Sequence, residues 1–453
     1  MENLEQFLEA FNKVLWGRWL VFVLLGLGVL YTFTNGFIQI KRFKYIMNKT
    51  LINSFKERNV EKEEGSLSTF KAMMVTLAGN IGGGNVVGVA TAIVSGGFGA
   101  IFWMWLAAFF GMALKYGEIV LSQLYRGRDK DGRILSGPMY YIRDGLKAPW
   151  LGVVIAILMT IKMMGANLVQ SNTIATILKT NFNVDTKITG AILVLLLLAI
   201  TLGGLKRVAN VATKLVPIMS ILYCILCTIV IILNIKAVPA VFAQIFEQAF
   251  SFKAVAGGTG GFVIARAMQY GIARGMYSNE AGEGTAPFAH GTAIVDHPVE
   301  EGITGVTEVF LDTIIICTMT ALTVGVSGIA IDGSIEASSM AIIAIGTVYG
   351  PLSLVAILAL LIFCFTTLMG QWFNAAKSFT YAYGPGVTDV VKYIFPLLCM
   401  VGSLGKINLV WTVQDIAMGL VIIPNMIALL ILWPKVREQT LDYFNKLDNE
   451  NRK

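Results

Sequence analysis

Apolar residues run along this chain in long blocks, with neither the alternation of a half-buried strand nor the one-sided stripe of a surface helix. Crossing a bilayer takes roughly 20 consecutive apolar residues, and the chain contains about eleven such runs. They fall near 17–40, 69–94, 98–124, 150–179, 187–203, 207–234, 258–278, 302–328, 352–380, 387–403 and 409–434. The fold class this pattern predicts is an all-α polytopic membrane protein. Between the runs, 236–257 reads as an external link with an amphipathic centre, 279–301 as a small, polar cytoplasmic stretch, and 331–350 as a short external helical hairpin. Such segments serve as gates or as ordinary connections.

Without the first run, ten remain, five in 69–234 and five in 258–434. An odd number per half makes the second half insert upside down relative to the first. The expected division is an N-terminal amphipathic segment, extra transmembrane helix and cytoplasmic loop (1–68), a first five-helix repeat (69–234), a link (235–257), a second, inverted repeat (258–434) and a cytoplasmic tail (435–453). The first run of each half is interrupted. In one the interruption is "AGNIGGGN", Ala78–Asn85; in the other it is "AMQYGIARGMYSNEAGEG", with the break expected at Tyr270–Gly275. Interrupted segments at matching positions of two inverted halves are the best sequence pointer to a transporter binding site.

Composition agrees. Of 453 residues, 56% are hydrophobic and 14% charged, with a mean hydropathy of +0.70; soluble domains carry about 25% charged residues. The N-terminus, "MENLEQFLEAFNKVLWGRW", lacks the basic start of a cleavable signal, so the first run reads as a true span. All five cysteines lie in apolar segments and read as small buried hydrophobes. With two histidines, no His/Cys cluster has metal-ligand spacing.

The net charge of +7 is unevenly placed. Basic residues gather in "KRFKYIMNK" (41–49), "KER" (56–58), "YRGRDKDGR" (125–133), "RDGLK" (143–147), Lys206, Arg207, Lys214 and "PKVREQ" (434–439). Intervening loops hold isolated lysines such as Lys187, Lys236 and Lys406. This is the positive-inside asymmetry. It puts the N-terminus outside and the C-terminus in the cytoplasm, and argues against a nucleic-acid partner. No obligate protein partner is evident.

Broken backbone inside a bilayer costs several kcal/mol per unsatisfied group, so it survives only where protein, water or a ligand satisfies it. After the first break, the amides of Gly83, Gly84 and Asn85 would open a helix whose positive end attracts a carboxylate. Before it, the carbonyls of Ala78 and Gly79 are hard ligands for a small cation. Carbonyls freed at Tyr270–Gly275 would suit an amino group. A zwitterion plus a cation fits this set better than a sugar or a lipid. The competing reading is a glycine-rich face for helix packing.

Asn167 and Gln170 lie three apart on one helical face, for a ligand or for helix contacts. Thr366 and Thr367 offer cation-binding hydroxyls, or bond their own preceding turn. Trp372 covers a small pocket or marks an interface. Intramembrane charges are functional candidates by default. Lys115 and Glu118, three apart, can pair; with Arg274 they fall near cytoplasmic ends, as snorkelling residues or gate pairs. Lys162 and Arg266 read as deeper: Lys162 could replace a cation by cycling its proton, and Arg266 could clamp a carboxylate. Asp312 also lies within a span. A membrane enzyme would draw on His290, Asp296 and His297, which lack metal or triad spacing; a channel is the other alternative.

At "GGFGAIFWMWLAAFFGMALKY", Gly96–Tyr116, the chain resembles the sodium:alanine (alanine or glycine:cation) symporter family. The resemblance takes in "GNIGGGN", "SGPMYYI" and "GMYSNEAGEGTAP" and nearly the whole chain. It implies a leucine-transporter-like fold: a 5+5 inverted-repeat core with two discontinuous helices, plus one extra N-terminal helix. It implies uptake of alanine or glycine with Na+, sometimes H+. By this resemblance Gly79, Gly82, Thr366 and Thr367 hold Na+ between the first and eighth core helices, and Gly271 and Ile272 lie at the substrate. The expected site therefore binds the carboxylate at Gly83 and Gly84, beside Asn85. It binds the amine at carbonyls near Thr76 and Gly271 with help from Gln170, counts Gly79 among the substrate residues, and limits side-chain size with Ile272 and Trp372. The expected setting is the plasma membrane.

Overall fold

Each apolar run of the sequence coincides with a helix in the structure, a computed structural model that describes residues 2–56, 66–130, 132–250, 260–405 and 407–450. Arg58 of the basic "KER", the end of the 236–257 link and Lys406 lie outside these residues. In chain order the helices are α1 (Glu2–Leu15), α2 (Arg18–Thr34), α3 (Thr69–Asn80), α4 (Gly84–Gly96), α5 (Gly99–Leu124), α6 (Pro149–Phe182), α7 (Thr186–Thr201), α8 (Gly204–Leu233) and α9 (Val238–Ala249). The second half holds α10 (Gly260–Asn279), α11 (Ala286–His290), α12 (Pro298–Val326), α13 (Ala337–Gly346), α14 (Leu352–Tyr383), α15 (Thr388–Leu404) and α16 (Ile407–Glu450). Short helical turns fill Ile38–Lys56, and a two-stranded ribbon pairs Gly127–Arg128 with Ile134–Leu135.

Among the described residues seven helices are long and apolar enough to cross a membrane, or eight if α3 and α4 form one bent span. The other expected spans fall on α7, which has 16 residues, and on α10 and α15. The 34 residues of α6 would run about 51 Å, well beyond a hydrocarbon core of about 30 Å, so it tilts or protrudes. Ile218, Ile221, Ile225 and Ile232 of α8 are exposed at helical spacing, a face suited to lipid.

Local chemistry sets several ends. The Ser68 hydroxyl accepts from the Lys71 amide and starts α3. Asp185 does the same for α7. Gly97, at φ 71°, ends α4 in a conformation that favours glycine. The tail past 435 is helical, a continuation of α16, which runs through Pro424 and Pro434. Two expectations are corrected. The 331–350 hairpin is the single helix α13. The second interruption is not at Tyr270–Gly275, where α10 is continuous; the chain unwinds after Asn279.

Small residues let the helices around that region approach closely. A Cβ on Gly271 would lie 2.1 Å from the Ala100 carbonyl of α5. A Cβ on Gly370 of α14 would lie 2.5 Å from the amide of Gly79. Helix α5 is the hub: α2, α10, α11 and α12 pack on it, while α14 packs on α3, α6 and α8.

Candidate functional site

The first interruption is where glycine and asparagine predict it. Helix α3 stops at Asn80, Ile81 is extended (φ −73°, ψ 101°), and α4 resumes at Gly84 with its axis turned by 53°. The new helix begins with wide turns over Gly84–Gly88. Asn85 fixes its start: its Oδ1 accepts the Gly82 amide at 2.9 Å. Its Nδ2 donates to Asp312 Oδ1 at 2.6 Å and Ser278 Oγ at 2.8 Å. Asp312 sits in a wide-turned stretch of α12, Phe310–Cys317, and also accepts the Ser278 and Thr313 hydroxyls at 2.8 Å.

The second interruption follows Asn279. Glu280 (φ 55°), Gly282 (φ 89°) and Gly284 (φ 78°) are all left-handed before α11 begins at Ala286. For a glutamate this is uncommon, and such strain persists where surroundings hold it. The two interruptions meet. Asn80 Nδ2 donates to the Asn279 carbonyl at 3.2 Å, and a Cβ on Gly84 would touch the Tyr277 ring at 3.1 Å.

Other helices close the space beside Ile81–Gly83. Thr367 Oγ1 of α14 donates to the Ile81 carbonyl at 3.3 Å and lies where a Gly82 Cβ would be, 2.2 Å away. Gln170 of α6 brings its Nε2 within 3.6 Å of that Gly82 position and its Oε1 within 3.3 Å of a Gly83 Cβ. Gln170 is buried, and its Oε1 has no hydrogen-bond partner. Gly79 presents its carbonyl to Gln371 Nε2 at 3.3 Å.

Several expected residues stand elsewhere. Thr366 turns to Met219 of α8 and the Phe363 carbonyl. Thr76 is inside the regular part of α3, its hydroxyl bonded to the Ala72 carbonyl. Trp372 is buried and donates to the Val391 carbonyl, between α14 and α15. Asn167 likewise donates to the Phe395 carbonyl of α15. Gly271 is a packing glycine against α5, and Ile272 is buried on the same unbroken helix. Arg266 is exposed, lies over the Tyr270 ring and is backed by Gly96, at the far end of α4 from the break. Arg274 is half-buried between the rings of Tyr277 and Trp411.

The charged pairs are also rearranged. Lys115 and Glu118 are both fully buried, so neither snorkels, and they do not pair with each other. Lys115 donates to the Asn279 carbonyl at 2.9 Å and bridges to Glu308 at 3.1 Å. Glu118 accepts the Gly284 amide at 2.8 Å and Asn425 Nδ2 at 2.6 Å. Lys162 bridges Glu280 at 2.6 Å and Glu283 at 3.1 Å. Sequence reasoning gave no role to Ser278, Asn279, Glu280, Glu283, Glu308, Gln371 or Asn425. The signal for Gln371 was its place one turn after Thr367.

His290 ends the short helix α11, outside the spans, with Glu301 at 2.7 Å on Nδ1 and Glu308 at 2.6 Å on Nε2. Burial alone would lower its pKa; Glu308 and Glu301 outweigh that and push it up to about 9. A raised folded-state pKa means the stabilisation is full below the ordinary value of 6.5 and is lost as pH rises through about 9. The Tm advantage of the wild-type protein over H290Q should therefore shrink steadily across that window. A gap that stays constant with pH would show that His290 is neutral throughout.

The sequence model of the sodium:alanine symporter family matches residues 1–453. A Methanococcus maripaludis protein described as the sodium/alanine symporter AgcS is 36% identical over 452 residues, covering 98% of this chain and 96% of that one. Among solved structures, a manganese transporter of Eremococcus coleocola superposes with a TM-score of 0.55 at 14% identity, covering 82% of this chain and 79% of that chain. A Na+-coupled sialic acid symporter in a substrate-bound outward-open state gives 0.51 at 12% identity, covering 86% and 82%. At such identities the two structures speak for the fold alone.

Proposed function

This chain belongs to the sodium:alanine symporter family, and from that premise we propose that it takes up alanine or glycine together with Na+ by alternating access. It is a multi-pass membrane transporter of leucine-transporter-like fold and not an enzyme. The inverted five-helix repeats, the plasma membrane and the orientation with the C-terminus and the α10–α12 connection in the cytoplasm belong to this reading.

One observation carries it. Two unwound backbone stretches, Ile81–Gly83 and Glu280–Thr285, face each other inside the helix bundle, with the unpartnered Gln170 Oε1 beside the first. A buried acceptor without a donor costs about 1–3 kcal/mol, which a ligand N–H would relieve. In this reading the substrate carboxylate meets the first amides of α4 at Gly83 and Gly84, with Asn85 holding that helix start. The ammonium meets Gln170 Oε1. Na+ lies between α3 and α14, held by Thr367 and the carbonyls around the break; Gly79, Gly82 and Thr366 complete the candidate set. Two of these need movement: the Gly79 carbonyl is now taken by Gln371, and the Thr366 hydroxyl faces α8. Na+ favours uptake only through its different affinities for the outward and inward states.

The test is L-alanine uptake into proteoliposomes under an inward Na+ gradient, with K+ in place of Na+ and with an imposed pH gradient as separate arms. Accumulation in the Na+ arm alone supports the reading; accumulation in the pH arm alone makes the coupling ion H+. Competition by glycine, serine and D-alanine ranks the substrates. The variant Q170A should weaken alanine binding by about 10- to 100-fold, the loss of one hydrogen bond to a charged group. Unchanged affinity would remove Gln170 from the site.

A further inference from the structure

Deeper along α6 than Gln170, two turns toward its N-terminus, lies a second polar centre that the substrate site does not use. The unwound stretch after α10 turns Glu280 and Glu283 inward, where they are 6% and 1% exposed. Lys162 reaches both from α6. Glu118 reaches the same stretch from α5 through the Gly284 amide, and Asn425 of α16 holds Glu118. Gln371 of α14 donates to Glu280 Oε1 at 3.1 Å and to the Gly79 carbonyl at 3.3 Å. One connected network thus ties α3, α5, α6, α14 and α16 to the second interruption.

Of the three buried carboxylates here, Glu280 and Glu283 share the ammonium of Lys162, and Glu118 and Glu280 also feel that of Lys115. The next cation, Lys115 of α5, is engaged with Glu308 and the Asn279 carbonyl. The other titratable neighbour on the unwound stretch's own helix is Tyr277. Excess buried negative charge must be neutralised by a cation or a proton. The orphaned atoms agree: Glu283 Oε1, Glu118 Oε2 and the amide oxygen of Gln371 are buried without a hydrogen-bond partner, and all three are acceptors. Among the described residues no three His, Cys, Asp or Glu side chains converge as a transition-metal site requires. A proton needs no coordination shell and sits on a single carboxylate oxygen.

The three carboxylates are not equivalent. Glu280 has Lys162 at 2.6 Å and the Gln371 amide; Glu118 has two N–H donors on one oxygen. Glu283 has Lys162 at 3.1 Å and no hydrogen bond on Oε1. It is the least stabilised as an anion. We infer that Glu283 is a proton-binding residue of the inner gate: closure moves one proton from hydronium in the cytoplasmic water onto its carboxylate, leaving water, and opening returns that proton to water as hydronium. This rests on the transporter reading and orientation above. The proton closes the network by removing one of two unmatched charges.

The test is calorimetric titration of the purified full-length protein with L-alanine in Na+ buffers of differing ionisation enthalpy. The dependence of the heat on the buffer counts protons taken up as the ligand favours the closed gate. The wild type should take up on the order of one proton per alanine bound. E283Q should bind alanine with a count near zero, and E118D, which keeps the charge at position 118 and leaves Glu283 in place, should keep the wild-type count. A zero count in the wild type, an unchanged count in E283Q, or loss of the count in E118D overturns the assignment. Should E283Q fail to fold, a zero count in the wild type or loss of the count in E118D still overturns it. Absence of any alanine binding would instead overturn the transporter reading, and this inference with it.

Discussion

Replacing Gly82 by alanine should reduce Na+-driven alanine uptake at least about tenfold while leaving a folded protein. The added Cβ would lie 2.2 Å from Thr367 Oγ1 and 3.3 Å from Thr367 Cβ, with Gln170 Nε2 at 3.6 Å on the other side. Thr367 is β-branched, lies within α14, and already bonds the Phe363 and Ile81 carbonyls, so it has little freedom to rotate away. Either α14 moves off α3 or the break opens. Overpacking of this kind costs about 1–3 kcal/mol, and 1.4 kcal/mol is a factor of ten. The double variant G82A/T367A separates the two consequences. It removes the clash, so its Tm should return toward wild type, yet it lacks the hydroxyl proposed for Na+, so uptake should stay low and lose its Na+ dependence. Full Na+-driven uptake in the double variant would show that Thr367 only packs.

The second large effect is expected at Lys162. Substitution by methionine keeps much of the volume and removes the ammonium from between Glu280 and Glu283. Removing one member of a buried ion pair costs about 3–5 kcal/mol, because the remaining charge is left uncompensated. Purified K162M should therefore unfold many degrees below the wild type. Adding E280Q removes the carboxylate held at 2.6 Å and should recover part of the loss, so the two changes together destabilise less than their sum. Additive losses in the Tm of the single and double variants would place Lys162 and Glu280 in separate networks. The left-handed Glu280 gives a second reason to expect coupling: such a backbone persists only where its surroundings hold it, and the Lys162 and Gln371 contacts are among those surroundings.

These particulars show what the sequence makes legible. The first interruption is readable because asparagines flank a glycine cluster within an apolar run, and a packing face needs the glycines but not the asparagines. The second was misplaced by ten residues for a physical reason. Gly271 and Gly275 look like helix breakers, but they are the face on which α10 rests against Ala100 and Met104 of α5. The glycines that serve the backbone are Gly282 and Gly284, both at positive φ. Packing glycines and conformational glycines are indistinguishable without the partner helix. The same limit applies to charge. Lys115 and Glu118 have the spacing of a pair, yet each takes a partner far along the chain, Glu308 and Asn425. Asn425 carries no local pattern, and its role depends on which helices pack together. The apolar runs fared better, because the length of a span is set by the bilayer.

The most direct measurement is the affinity of the purified wild-type protein for L-alanine as a function of Na+, with K+ holding the ionic strength constant. If both ligands meet at the interrupted α3–α4 segment, alanine affinity should rise with Na+, and Na+ affinity should rise by the same factor with alanine. Alanine affinity that is indifferent to replacing Na+ by K+ would contradict a shared site.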